Sequence, residues 1–286
     1  MITLEGNELP PLIINACLTG MVPQKKDNLF LPVTREEIIG DACAVIEAGA
    51  SILHMHARDD DGIPSWQPEL FSPVIEKIRS TYPQVVIGVT TSGRKFTAFS
   101  KRSAVLYLSG DAKPDMASLT LGSMNFVSEA SLNSPHTIQK LAKCMQDQGI
   151  MPELEIFEPG MLNYAFYLIK KKLLTPPCYV NLILGSLGAS PARLIDLANL
   201  VRDIPAGWVW AAAGIGRYQL SMNAAAIIMG GHVRVGLEDN LYYDPQRKNM
   251  ASNKMLVNRV VRIAGELGRP IATPTETRQL LHLPMK

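Results

Sequence analysis

The chain has 286 residues, long for one ordinary domain and typical of a single α/β barrel. Its 47% hydrophobic and 19% charged content supplies a large core, and 28 Lys plus Arg against 26 Asp plus Glu leave a net charge of only +2. That balance excludes a nucleic-acid or membrane-surface signature, and the Lys25-Lys26 and Lys170-Lys171-Lys172 runs read as solvated faces.

In chain order, residues 12–18 read as an apolar strand, followed by a polar loop carrying Pro23 and Pro32. Thr34 then caps a helix, with Glu37 as its capping-box partner. This helix passes Ile38, Ala42, Val45 and Ile46 and stops at Gly49. The apolar run 50–53 leads a second strand into His54-Met55-His56-Ala57-Arg58, and 59–64 is a loop. A helix over 69–80 precedes strand three at 85–90, and a helical stretch near 99–108 precedes strand four at 116–121. Ser134 as N-cap and Pro135 at the first helical position open a helix that ends near Gly149. Strand five (153–157), a helix (162–174), strand six (179–184) and a helix begun at Pro191 follow. Strand seven (208–213), a helix (221–229), strand eight (232–237) and a last helix (252–267) complete the pattern.

Eight strand–helix alternations without a linker or low-complexity segment predict a parallel (β/α)8 TIM barrel, one domain over 1–286. An open doubly wound sheet is the runner-up, but no G-x-G-x-x-G follows the first strand. Side chains alternate along a strand, so the branched apolar positions facing the helices fix which residues face the barrel axis. Val233, Val235 and Leu237 point out, leaving His232, Arg234, Gly236 and Glu238 inside. By the same parity Gly88 and Thr90, Ser118 and Thr120, and Glu153 and Glu155 point in. The C-terminal mouth therefore collects His54, His56, Thr90, Ser118, Thr120, Glu155, Arg234 and Glu238. A purely structural interior would carry Val, Ile and Leu there, and that end of a barrel is where active sites are built.

Cys17, Cys43, Cys144 and Cys178 show neither C-x-x-C pairing nor a disulfide-rich pattern and read as thiols of a reducing compartment. With no leader-like N-terminus and no apolar stretch of spanning length, the expected location is the cytoplasm.

His54 and His56 lie on one face of a strand end, about 7 Å apart along it, where two imidazoles can share a divalent metal. Hydrogen-bonded barrel histidines are the competing reading. Glu238 is a plausible third ligand, with an ion pair to Arg234 as its alternative. Two His and one carboxylate leave a fourth position open on zinc, as in catalytic sites. Asp239, beside a cation and that metal, suits a general base, or else simply caps a turn. Thr90-Thr91-Ser92-Gly93 and Ser118-Leu119-Thr120 offer hydroxyls and amides for a small carboxylate. Gly214-Ile215-Gly216-Arg217 falls where barrels often hold phosphate, although a tight turn explains its glycines equally well. Such a mouth suits enolate chemistry, in which a polarised ketone acidifies the next carbon. Hydrolysis by metal-bound water uses the same parts. A barrel hydrolase, however, needs further histidines, and His136, His232 and His282 are poorly placed for it.

Several stretches together resemble the β-keto acid cleavage enzyme family over nearly the whole chain. The specific ones are His54-Met55-His56-Ala57-Arg58-Asp59 and the block from Gly230 through His232, Arg234 and Glu238 to Asn240. Leu18-Thr19-Gly20, Glu47-Ala48-Gly49-Ala50, Asn125-Phe126 and Ala213-Gly214 are weaker. The resemblance implies a zinc-dependent TIM barrel, usually a homotetramer, that condenses a β-keto acid with acetyl-CoA and releases acetoacetate and a new acyl-CoA. It implies zinc on His54, His56 and Glu238, and a base formed by Arg234 and Asp239. Thr90, Gly93 and Ser118 match positions that bind the keto acid end, beside Thr120 at the same mouth. In the member that cleaves 3-keto-5-aminohexanoate, a Glu shortly after Thr-Gly pairs with the substrate's amine. Here Thr19-Gly20-Met21-Val22 puts Val22 in that place. Burying an ammonium against Val22 is costly, so the expected tail is not a primary amine and meets Met21 and Val22 with an uncharged or apolar group. A zinc hydrolase that ignores CoA is the alternative function.

Overall fold

A computed structural model describes residues 9–286; the first eight, part of the stretch read above for a leader, lie outside the described residues. Eight parallel strands close into a barrel in sequential order: β1 (Ile14–Cys17), β2 (Ile52–Met55), β3 (Val86–Val89), β4 (Met116–Thr120), β5 (Met151–Ile156), β6 (Tyr179–Leu184), β7 (Val209–Gly214) and β8 (His232–Val235). Helices α1 (Arg35–Glu47), α2 (Pro68–Thr81), α3 (Phe99–Ser103), α4 (Pro135–Gln148), α5 (Pro159–Lys170), α6 (Leu194–Arg202), α7 (Gln219–Ile228) and α8 (Asn253–Glu266) connect and surround them. The (β/α)8 expectation is met, strand by strand.

Local chemistry sets the helix starts. At α1 the Glu37 amide donates to Thr34 Oγ1 at 3.2 Å and the Glu37 side chain accepts from the Thr34 amide, the reciprocal capping box read from sequence. Ser134 caps α4, and Gly149 ends it in the left-handed conformation at φ 61°. Helix α5 begins earlier than expected because Pro159 takes the first-turn position. The stretch near 99–108 is not one helix: α3 gives way to a 3-10 turn over Ala104–Tyr107. A ninth helix, α9 (Pro274–Leu280), was not foreseen, although Thr273 and Glu276 form its capping box.

Two apolar regions stabilise the barrel. The larger packs Ile14, Leu53, Ile87, Val89, Leu119, Leu154, Val233 and Val235 against the helices, as parity required. The smaller plugs the barrel floor, where Ile13, Ile52, Val86, Met116, Tyr179 and Ala211 meet Ala272 and Leu281. Above that plug the axis turns polar, with Asn15, His54, Glu153, Asn181 and Arg234 all buried. The four cysteines are free thiols, and no helix among the described residues is long and apolar enough to cross a membrane.

Strand β8 stops at Val235, two residues short of expectation. The Gly236 carbonyl accepts from the amides of Asp239 (3.3 Å) and Asn240 (3.1 Å) and from the Gln219 side chain (2.9 Å). These bonds close a tight turn, so Glu238 and Asp239 sit on a turn above the strand rather than at its end.

Candidate metal centre and active-site cavity

His54 and His56 point together into the mouth from the end of β2, their ring centroids 5.2 Å apart. Glu238 descends from the β8 turn, its Oε1 3.3 Å from His56 Nε2 and its Oε2 3.9 Å from His54 Nε2. One ligand atom from each of the three lies within 4.8 Å of the others.

The fit of a metal is tested by atoms left unpartnered. His56 Nδ1 and Nε2 and Glu238 Oε2 are buried without a hydrogen-bond partner among the described residues. Such orphans are costly in a folded core unless something binds there. His54 is oriented from behind: its Nδ1 lies 2.7 Å from Glu153 Oε2, which leaves Nε2 toward the other two donors. An imidazole backed by a carboxylate is the usual arrangement behind a metal-ligating histidine. A pair of nitrogens and one carboxylate suits a divalent ion that keeps an open position.

Electrostatics in the cluster oppose burial. Burial pulls the His54 imidazole down, but the Glu153 and Glu238 charges reverse this and carry it up to about 9. Glu153 would be raised by its own burial, yet the His54 charge and hydrogen bonds bring it down to about 2. His56, with burial as the dominant influence, falls below its ordinary value. Burial raises Asp239 above its ordinary value, and Arg234 offsets part of that rise.

Arg234 is the hub. Fully buried on β8, it donates through Nε to Asp239 Oδ2 (3.0 Å), through Nη2 to Glu238 Oε1 (3.0 Å) and through Nη1 to Glu155 Oε1 (3.3 Å). The alternative reading of Glu238 as a partner of Arg234 is therefore also true: one oxygen takes the guanidinium and the other stays open. Thr120 Oγ1 donates to Glu155 Oε2 at 2.6 Å, fixing the far side of the hub.

The cavity over these groups has a volume of about 340 Å³, within the range of small-molecule sites, and Thr90, Thr120, Met21 and Val22 line it. Ser118 and Gly93, also expected there, lie behind the wall. Ser118 Oγ accepts from the Thr91 amide at 3.0 Å. A Cβ on Gly93 would meet the Leu132 carbonyl at 2.6 Å and the Arg102 guanidinium at 2.7 Å. Of the other histidines, His232 accepts from the Ile13 amide at 2.9 Å near the floor, while His136 begins α4 and His282 follows α9. None joins the metal centre. The Gly214–Arg217 turn is a turn: the Gly216 amide donates to the Asp239 carbonyl at 2.7 Å and the Ile215 amide to the Leu184 carbonyl at 2.9 Å.

Three supports went unassigned in the sequence. Glu153 also accepts from Asn15 Nδ2 (2.6 Å) and Asn181 Nδ2 (2.5 Å), and strand parity had already turned it inward. Arg58 donates to the carbonyls of Thr19, Gly20 and Pro23, clamping the loop that carries Met21 and Val22 to the cavity. Gly20 closes that loop at φ 65°, where a Cβ would lie 2.7 Å from Glu238 Cγ.

Comparison with known proteins agrees with this architecture. The sequence model of the beta-keto acid cleavage enzyme family matches residues 11–283. A 3-keto-5-aminohexanoate cleavage enzyme of Fusobacterium nucleatum is 42% identical over 273 residues, 95% of this chain and 98% of the relative. A 3-oxoadipate:acetyl-CoA acetyltransferase of Cupriavidus necator is 37% identical over 96% of this chain and 95% of its own. The apo structure of ObcA superposes with a TM-score of 0.80 at 20% identity, covering 89% of this chain and 66% of that one, a likeness of fold. On this breadth of similarity, spanning both the H-x-H strand and the Glu238–Asp239 turn, the chain belongs to the β-keto acid cleavage enzyme family.

Proposed function

We propose that this chain, acting as one domain over 1–286, exchanges acyl groups between a β-keto acid and acetyl-CoA. The products are acetoacetate and the acyl-CoA of the keto acid's tail. The net change balances: the acetyl group leaves sulfur for the carboxymethyl carbon, and the tail acyl group leaves that carbon for sulfur. The observation that carries the reading is the meeting of His54, His56 and Glu238 beside the Arg234–Asp239 pair in one cavity. The relatives' acetyl-CoA transferase names support the cosubstrate.

His54, His56 and Glu238 would hold a divalent ion, zinc by the nature of its donors. When bound, that ion supplies Lewis acidity to a ketone oxygen, which lowers the cost of removing a proton from the neighbouring carbon. Asp239 takes that proton. Its Oδ2 accepts from Arg234 Nε, while Oδ1 has no hydrogen-bond partner among the described residues. Burial makes the Asp239 carboxylate more basic, and Arg234 keeps it ionised and aimed. Thr90 and Thr120 place the keto acid end, with Ser118 and Gly93 holding the wall behind them. Val22 offers no charge for an ammonium, so the tail is not a primary amine. The protein works in the cytoplasm as a homotetramer.

The test is acetoacetate release from a panel of β-keto acids with and without acetyl-CoA. Release that needs both substrates supports the reading, and release indifferent to acetyl-CoA would sink it in favour of hydrolysis. Asp239→Asn should keep bound metal and lose turnover by about a hundredfold or more, a general-base contribution. Glu238→Ala should lose both.

A further inference from the structure

Three guanidiniums and three carboxylates line the cavity: Arg94, Arg234 and Arg247 against Glu155, Glu238 and Asp239. The count balances, but the placement does not. All three carboxylates converge on Arg234, at 3.0–3.3 Å. Neither Arg94 nor Arg247 has a carboxylate within 4.0 Å among the described residues, so the cavity keeps one cation without an ion-pair partner beyond β3 and another beyond β8.

Arg94 is the informative one. It follows β3 in the loop after Thr90 and Ser92, half-buried, with its guanidinium carbon 3.4 Å from the centroid of the Phe126 ring. Stacking on an aromatic face fixes the plane of the group and strips water from one side of it. No hydrogen bond links its guanidinium to any described residue; its amide alone is engaged, with Ser92 Oγ at 3.3 Å. A partly desolvated cation without a protein partner gains a charge-assisted hydrogen bond when an anion arrives. Met21 and Val22 are apolar, as are Phe157, Ile183 and Leu241 along the same cavity, which suits methylenes between two polar ends. A divalent ion on the histidine pair would add two positive charges to a wall set that is otherwise balanced, and the complement is a dianion. The keto acid's own carboxylate supplies one negative charge.

We propose that the substrate is a β-keto acid whose tail ends in a second anionic group, a carboxylate, and that Arg94 is the residue that selects it. This deepens the acyl-exchange reading above and rests on it. The apolar side at Met21 and Val22 then packs the tail's methylenes, and the tail's terminus forms the paired hydrogen bonds that a planar guanidinium offers.

The experiment compares kcat/KM for 3-oxoadipate with that for 3-oxohexanoate, which has the same carbon count and a neutral end, at saturating acetyl-CoA. The wild-type enzyme should favour the dianion about tenfold or more, and Arg94→Met should collapse that ratio by a similar factor, chiefly through KM. Arg94→Lys should keep part of the preference. A ratio taken on one preparation is insensitive to any loss of folded protein. The proposal is overturned if the wild type shows no preference for the dianion, or if Arg94→Met slows both keto acids alike, which would place the common carboxylate on Arg94. A rise confined to the KM of acetyl-CoA would overturn it too, assigning Arg94 to the cosubstrate's phosphates. Turnover of 3-oxohexanoate without the preference defeats this inference alone, whereas no acetoacetate from any keto acid defeats the reading beneath it.

Discussion

Glu153 shows how a single side chain can govern a site it never faces. It is completely buried, and its two oxygens serve three donors: His54 through Oε2, and Asn15 and Asn181 through Oε1. A glutamine has one acceptor end and one donor end, so it cannot satisfy both groups. Either the two asparagine amides meet another amide donor, or His54 loses its acceptor. Glu153→Gln should therefore weaken metal affinity about 10–100-fold through loss of imidazole orientation. Competition with a chromophoric chelator on the folded protein measures this, and unchanged affinity would remove Glu153 from that role. The residue was half legible in the sequence. Parity turned it inward, yet nothing in a linear pattern says that residues 54 and 153 meet across a closed barrel. The H-x-H pair was legible because both ligands lie on one strand. Arg94 was not, because its loop has no periodicity from which to read direction.

Among the elements, the junction of α1 with α8 carries a pH-sensitive contact away from the chemistry. Asp41 on α1 accepts from Asn253 Nδ2 at 2.6 Å, and the same amide donates to the Leu18 carbonyl at 2.8 Å. Burial raises Asp41 to about 6, against the partial relief given by Asn253. The folded protein thus holds this proton more tightly than the unfolded chain, so Asp41 costs stability as pH rises from about 4 through 6. Asp41→Asn keeps an acceptor for Asn253 and removes the charge. It should match the wild type at pH 4 and exceed it by about 3 kcal/mol at pH 7. Denaturant titrations at the two pH values decide this, and equal midpoint differences at both would refute it. Element existence was readable wherever periodicity and capping coincided, as at α1, α4 and all eight strands. It failed at α9, a seven-residue helix too short to show a period, and at 99–108, where the turn geometry changes within one apolar pattern.

The whole molecule separates its duties along the barrel axis. Chemistry gathers at the C-terminal mouth, while the opposite end is an apolar plug sealed by α9. Arg278 on α9 is fully buried there, bonding both oxygens of Asp115 (3.1 and 3.0 Å) and the carbonyls of Gln84 and Val85 (2.8 and 3.1 Å). Arg278→Met would strip the Gln84 and Val85 carbonyls of that donor and leave Asp115 to Arg79 and the Ile87 amide, and should destabilise the protein by about 3 kcal/mol. Metal affinity of the protein that remains folded should not change, since the mouth lies at the other end. A matched fall in affinity would show that the two ends are coupled. The closed barrel itself was legible from eight alternations and from inward polar parity. The ion network sealing its floor was not, because its members are scattered from Arg79 to Lys286 and only the finished fold assembles them.

Gly20 gives up its side-chain space to the Glu238 methylene. Mutational libraries aimed at the pocket lip should therefore tolerate change at Met21 and Val22 but die out one step earlier, where any added carbon displaces the acid before it alters what is accepted. The scope for retuning selectivity in this scaffold begins abruptly, at a boundary one atom wide.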